Sequence, residues 1–157
     1  MLNGYVFASV VFALTFIGFG SFVLLRNSKS SLNRYFFVYS ASFAIWLVAN
    51  YLAADLRVPE EIALIANKVV FVCGGAIVFS LLLFVANLTN KKRTKLFSLV
   101  SYISLLAVVF SPTPLIVAGI FPDDGIYALK FGPLAFLYFL ILPVAVAYSI
   151  YILVKAR

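Results

Sequence analysis

The chain has 157 residues, 65% of them hydrophobic and only 11% charged, with a mean hydropathy of +1.14. A water-soluble domain averages roughly 45–50% apolar and about 25% charged residues, so this composition excludes an ordinary soluble fold and points to lipid. The formal net charge of +7 does not point to nucleic acid, because no basic motif with interleaved aromatics exists and the cations are dispersed through short loops.

The first apolar run covers residues 5–25. It has no basic residue before it and exceeds the ~7–15-residue core of a cleavable signal peptide, so it is read as a retained helix. Its positive charges, Arg26, Lys29 and Arg34, follow it. The second run, 35–54, is opened by Asn33-Arg34, closed by Asp55, and carries the only tryptophan of the protein, Trp46, near its midpoint. The third, 62–86, contains Lys68. Each of these is long enough as a helix to cross a hydrocarbon layer of ~30 Å.

A fourth run is interrupted by Ser111-Pro112-Thr113-Pro114. Its unbroken part would rise only ~23 Å, which predicts a short span over 96–111 that ends at or kinks through the prolines. The following Leu115–Phe121 (LIVAGIF) is expected at the interface or folded back. Gly132-Pro133 is expected to open the fifth span, 134–154, with proline at a first helical position, and Pro143 to bend it. The runs are too uniformly apolar for barrel strands, and unpaired backbone groups are intolerable in hydrocarbon. The expected fold is therefore all-α, a single domain over 1–157 forming a polytopic transmembrane helical bundle of about five spans. No internal repeat is present, which weakens an inverted-repeat transporter.

Charge gives the orientation. Nine of the twelve cations (Arg26, Lys29, Arg34, Lys91, Lys92, Arg93, Lys95, Lys155 and Arg157) fall on one side of the expected topology. Arg57, Lys68 and Lys130 share the other side with all five acids, Asp55, Glu60, Glu61, Asp123 and Asp124. The positive-inside rule then places the N-terminus outside and the C-terminus in the cytoplasm, in the cell (inner) membrane. Weak attraction of the cations to anionic lipid is a by-product.

Candidate sites are few. Histidine is absent and every acid is read into an outer loop, so no catalytic residue, metal ligand or cofactor is expected. Asp123-Asp124-Gly125 could suggest a metal-binding pair but is first a turn after Pro122. A single cysteine, Cys73, forbids an internal disulfide and is read as a packing residue beside Gly74-Gly75. Small residues at four-residue spacing, Ala49 with Ala53 and Ala76 with Ser80, allow close helix approach. Lys68 lies ~9 Å along the helix axis from Ile62, shallow enough for its stem to snorkel to the headgroups. Alternatively, Lys68, Asn67 and Asn50 form a polar ligand pocket open to the outside, with Trp46 as an aromatic wall beneath Asn50. For Trp46 the plainer reading is packing among helices with its N–H paired.

These features resemble the N-terminal seven-helix membrane region of sensor histidine kinases, also found joined to other signalling output domains. The matching residues are Asn33-Arg34-Tyr35-Phe36 opening the second helix, Trp46 within it, and Lys68 with Gly74 in the third. Phe79 to Phe84 before the polar exit Asn87–Lys92, and Gly132-Pro133-Leu134 with Phe136 and Tyr138, complete the similarity. The chain departs from that region after a fifth span, where the family continues through two more helices and a kinase core; with no histidine, it has no phosphoacceptor. The resemblance implies a sensory input module without catalytic activity of its own and a cytoplasmic signalling output domain or kinase as partner. It also implies a fragment of a longer sensor, whose Ala145 and Ser149 face lipid and favour a homo-oligomer through the fifth helix. The alternative is a small transporter or channel subunit, for which an ionisable relay at mid-depth would be expected.

Orientation is testable by cysteine labelling in intact cells. An impermeant reagent is expected to label an Asp124→Cys variant and to leave Lys92→Cys silent; the reverse pattern inverts the topology.

Overall fold

Apolar runs with no water to satisfy their peptide groups close those groups on themselves as helices. In the computed structural model, which describes residues 2–90 and 94–156, these are α1 (Leu2–Arg26), α2 (Ser31–Ala54), α3 (Glu60–Leu88), α4 (Lys95–Phe110) and α5 (Ala135–Val154). Four of them, α1, α2, α3 and α5, are long and apolar enough to cross a membrane. The 16 residues of α4 rise about 24 Å. The expected cations Lys91, Lys92, Arg93 and Arg157 lie outside the described residues.

The helix boundaries have local causes. The Asn33-Arg34 pair fastens the turn between α1 and α2: Asn33 Nδ2 donates to the carbonyls of Val23 (2.8 Å) and Asn27 (3.2 Å), and Arg34 Nη2 to that of Lys29 (2.8 Å). Side chains thereby add bonds to carbonyls at and beyond the end of α1, that of Asn27 also accepting from Ser30 N at 3.1 Å. Thr94 caps α4, its Oγ1 accepting from Phe97 N at 3.1 Å. At the far end α4 stops at Phe110, as the prolines require.

The chain is mostly helical, with one addition to the expected all-α bundle. Between α4 and α5 it forms an antiparallel hairpin, β1 (Val117–Asp123) and β2 (Ile126–Phe131). Asp124 (φ 41°) and Gly125 (φ 84°) occupy its two-residue loop. Positive φ at both positions is the type I′ geometry that matches strand twist, and Asp-Gly is among its preferred sequences. The expected turn at Asp123-Asp124-Gly125 is therefore present, as the tip of a hairpin. Pro122, opposite Tyr127, is tolerated because both strands of a two-stranded sheet are edges.

The root of the hairpin is closed by Gly132 N donating to Ile116 O and Leu134 N to Leu115 O, each at 2.9 Å. A Cβ on Gly132 would run into the backbone of Pro114 and Leu115, so only glycine fits. Pro133 stands before the cap residue Leu134, and α5 opens at Ala135; the expected proline at the first helical position is corrected by that short connection.

Packing centres on α3, which is contacted by α2, α4, α5 and β1, whereas α1 packs on α2. One apolar cluster joins Phe71, Ala107, Ile116, Val117 and Tyr138 beneath the hairpin; a second joins Leu82, Val85, Ala86, Phe97 and Ile152 at the opposite end. Ala145 and Ser149 are 0% and 1% exposed, which overturns their expected place on an outward face of the fifth helix. Small side chains sit where helices come together. The outward face of α5 is formed instead by Phe136, Phe139, Leu140 and Val144.

Two glycines of the hairpin region separate close approach from mere composition. Gly132→Ala is expected to destabilise the chain by about 1–3 kcal/mol in detergent unfolding, because backbone has to move. Gly119→Ala, where nothing lies within 4 Å of the added carbon, is expected to be near neutral.

Candidate functional site

The residues singled out in the sequence fall into two separate settings. Trp46 belongs to an aromatic row between α1 and α2: its ring centroid is 5.7 Å from that of Phe43, which lies 4.6 Å from Phe16 of α1 and 6.2 Å from Tyr39. It is half-buried, as is Asn50 one turn further along α2. Phe36, at the start of the same helix, touches both Phe19 of α1 and Phe84 of α3.

Asn67, by contrast, is buried between helices, and its Nδ2 donates to Ala63 O (2.9 Å) in its own helix and to Ala53 O (3.2 Å) in the last turn of α2. Its amide is thus engaged in joining α2 to α3. Lys68, half-buried, is its neighbour in sequence. Among the described residues no hydrogen bond joins any two of Trp46, Asn50, Asn67 and Lys68. A groove of about 480 Å³ between α1, α2 and α3 is walled by Ala13, Ile17, Ala44, Val48, Ala66 and Val69 among others and includes none of the four.

A more polar constellation, not foreseen in the sequence, occupies the loop between α2 and α3. Arg57 Nε donates to Asp55 Oδ1 at 2.9 Å, Arg57 Nη2 to Asp55 Oδ2 at 2.6 Å, and the Arg57 backbone N–H to Oδ1 at 3.0 Å. Tyr51 Oη donates to Asp55 Oδ2 (2.9 Å) and accepts from Arg57 Nη2 (3.0 Å). The hairpin leans on this loop through a backbone bridge between Asp55 and Ile126 and through Tyr127 Oη donating to Val58 O at 3.2 Å. The sequence signal for the hairpin, though not for Tyr51, Asp55 and Arg57, was the Asp-Gly dipeptide flanked by Ile120-Phe121 and Ile126-Tyr127.

Hydrogen bonds from the Arg57 side chain, then from its backbone N–H, with a further contribution from Tyr51, hold the Asp55 carboxyl well below the usual carboxylate range. From the hairpin root, α5 runs directly along α3. Tyr138 Oη donates to the carbonyl of Phe71, in space left by Gly74, where a Cβ would come within 2.6 Å of the phenol oxygen. At the other end of α5, Tyr148 Oη lies 3.2 Å from Thr94 Oγ1 at the start of α4.

Four apolar helices of spanning length make this chain, by length and composition, a membrane protein. No family model, curated protein or solved structure matches it, so the class of the protein rests on its own sequence and geometry.

Two consequences can be measured. Asn67→Leu removes the link to Ala53 and is expected to cost about 0.6–1.7 kcal/mol, the range for hydrogen bonds between helices in lipid, read as lowered detergent stability. The Asp55 contribution has a definite sign in pH. A carboxyl whose folded pKa is depressed stabilises fully above its unfolded value of about 3.9 and loses that contribution as pH falls further, so the protection of the Val58 and Ile126 amides, corrected for the pH dependence of intrinsic exchange, is expected to be constant above about pH 5 and to fall below about pH 4. An Asp55→Asn variant is expected to lack the step.

Proposed function

We propose that the chain is a membrane-embedded sensory input module that couples a stimulus at the hairpin end, or in the surrounding lipid, to a cytoplasmic signalling partner. The observation that supports this reading is mechanical continuity. The hairpin is fastened to the α2–α3 loop at Asp55 and Val58, and its root passes through Gly132 into α5. A displacement of the hairpin is therefore conveyed to α5, which is bonded to α3 through Tyr138 and approaches α4 through Tyr148. Coupling of this kind needs an element with two arrangements whose balance the stimulus shifts, and the docked hairpin is that element.

The proposed orientation places the hairpin and the acids outside and the basic end in the cytoplasm of the inner membrane, following the positive-inside rule. The likeness of Asn33-Arg34-Tyr35-Phe36, Trp46 and Gly132-Pro133 to the membrane region of sensor histidine kinases agrees with it. Asn50 and Lys68 are retained as the proposed point of entry for a stimulus from the outside, with Trp46 one turn before Asn50 on α2 and Asn67 next to Lys68 in the sequence.

The deciding experiment locks the hairpin. Cysteines replacing Val58 and Tyr127, cross-linked in cells, are expected to abolish a two-component response that depends on the gene and to leave protein abundance unchanged; reduction is expected to restore the response. Solute uptake by proteoliposomes containing only the purified chain would establish a transporter in its place.

A further inference from the structure

At the end opposite the hairpin, the last turns of α3 and α5 and the first turn of α4 enclose a cavity of about 460 Å³. Cavities of this size are in the range that holds small ligands. Its floor is apolar, formed by the buried side chains of Phe97 and Ile152. Its mouth is polar and made of donors. Thr94 Oγ1 and Tyr148 Oη lie 3.2 Å apart, and Lys155 Nζ lies 3.1 Å from Tyr151 Oη, also standing 5.6 Å from the centre of the Tyr151 ring.

The inventory of protons at this mouth is one-sided. A hydroxyl pair uses one of its two protons internally, so Thr94 and Tyr148 retain one to donate. Tyr151 accepts from Lys155 and keeps its own proton free, and the ammonium group has two more. Among the described residues no carboxylate side chain stands near to receive them. All five acids of the chain, Asp55, Glu60, Glu61, Asp123 and Asp124, lie in the α2–α3 loop, in the first turn of α3 or at the hairpin tip, at the other end of the bundle. The one ion pair among the described residues, Arg57 with Asp55, is there as well.

We infer that this cavity binds an anionic phospholipid, with its phosphate at Thr94, Tyr148, Tyr151 and Lys155 and the start of an acyl chain over Phe97 and Ile152. The acceptor required is polyvalent, as any phosphate group is, and two further features select lipid over a soluble anion. The floor beneath it is apolar and would stay unfilled under a free ion. The site lies level with the ends of helices of spanning length, where headgroups and the amphipathic rings of tyrosines meet. Charge complementarity between headgroup and basic end supplies the attraction. The inference rests on the membrane reading alone and is independent of any sensory role.

Thermal unfolding of the purified full chain in detergent, titrated with phosphatidylglycerol or phosphatidylcholine, tests it. Phosphatidylglycerol is expected to raise the Tm by several degrees and phosphatidylcholine to leave it unchanged. Lys155→Gln and Tyr148→Phe, each compared with its own lipid-free Tm, are expected to need about tenfold more phosphatidylglycerol for the same shift. Lys29→Gln, which removes an exposed cation at the same end but away from the cavity, is expected to behave as the unaltered chain. Equal responses to both lipids, an effect of Lys29→Gln as large as that of Lys155→Gln, or an equal shift with inorganic phosphate would each overturn the assignment.

Discussion

Helices in hydrocarbon gain nothing by excluding water from one another, so they are held by close contact and by hydrogen bonds, and in this chain both are concentrated on α3. Its surface is small where neighbours arrive: Ala63 is fully buried, Gly74 leaves room for the Tyr138 phenol, and Gly75 faces Val108 so closely that a Cβ would come within 2.8 Å of its methyl group. The polar contacts use the same surface. Asn67 reaches across to α2 and Tyr138 reaches in from α5. Bulk at these positions would push three helices outward together, and the apolar clusters at both ends of the bundle would open with them.

The hairpin is the one stretch of described chain that leaves helical pairing for a sheet, and its position follows from where it can satisfy its peptide groups. Strand pairing, the type I′ tip and the closure at Ile116 and Gly132 satisfy part of its backbone, and Asp55 adds a further bridge on the α2–α3 loop. Edges of a two-stranded sheet that remain open need water or headgroups, so such an element belongs beyond the hydrocarbon. Below it, Ile116, Val117 and Leu129 turn inward onto Phe71 and Tyr138. The hairpin thereby continues the apolar interior of the bundle up to a polar rim formed by Tyr51, Asp55 and Arg57.

Legibility in the sequence followed the strength of each physical signal. The spans could be read because twenty consecutive apolar residues have few alternatives, and the end of α4 because prolines forbid its continuation. The hairpin was legible only at its Asp-Gly tip, since Pro122 and the uniform apolarity of Leu115–Phe121 hid the alternation expected of strands. Asn67 was singled out, but its partner is a backbone carbonyl of α2, which no side-chain pattern encodes. Ala145 and Ser149 were placed on the wrong side because small residues mark an interface without saying which neighbour supplies it. The phenols of Tyr51 and Tyr148 gave no signal among nine tyrosines until the fold set them beside Asp55 and Thr94.

The peripheral position of α1 makes α2 its main link to the rest of the bundle. It packs on α2, with Phe16 and Phe19 as its aromatic anchors, while Phe7, Phe12, Leu14 and Phe22 are exposed along its length. The remaining helices share α3 and lose one another's support when it moves. The seam between α1 and α2 is nevertheless among the broadest in the bundle, so α1 is an outer helix held chiefly through one neighbour and not a loosely attached one. Because Ala13 and Ile17 of α1 themselves wall the groove they share with Ala44 and Val48 of α2, any movement of α1 on α2 changes the shape of that groove directly.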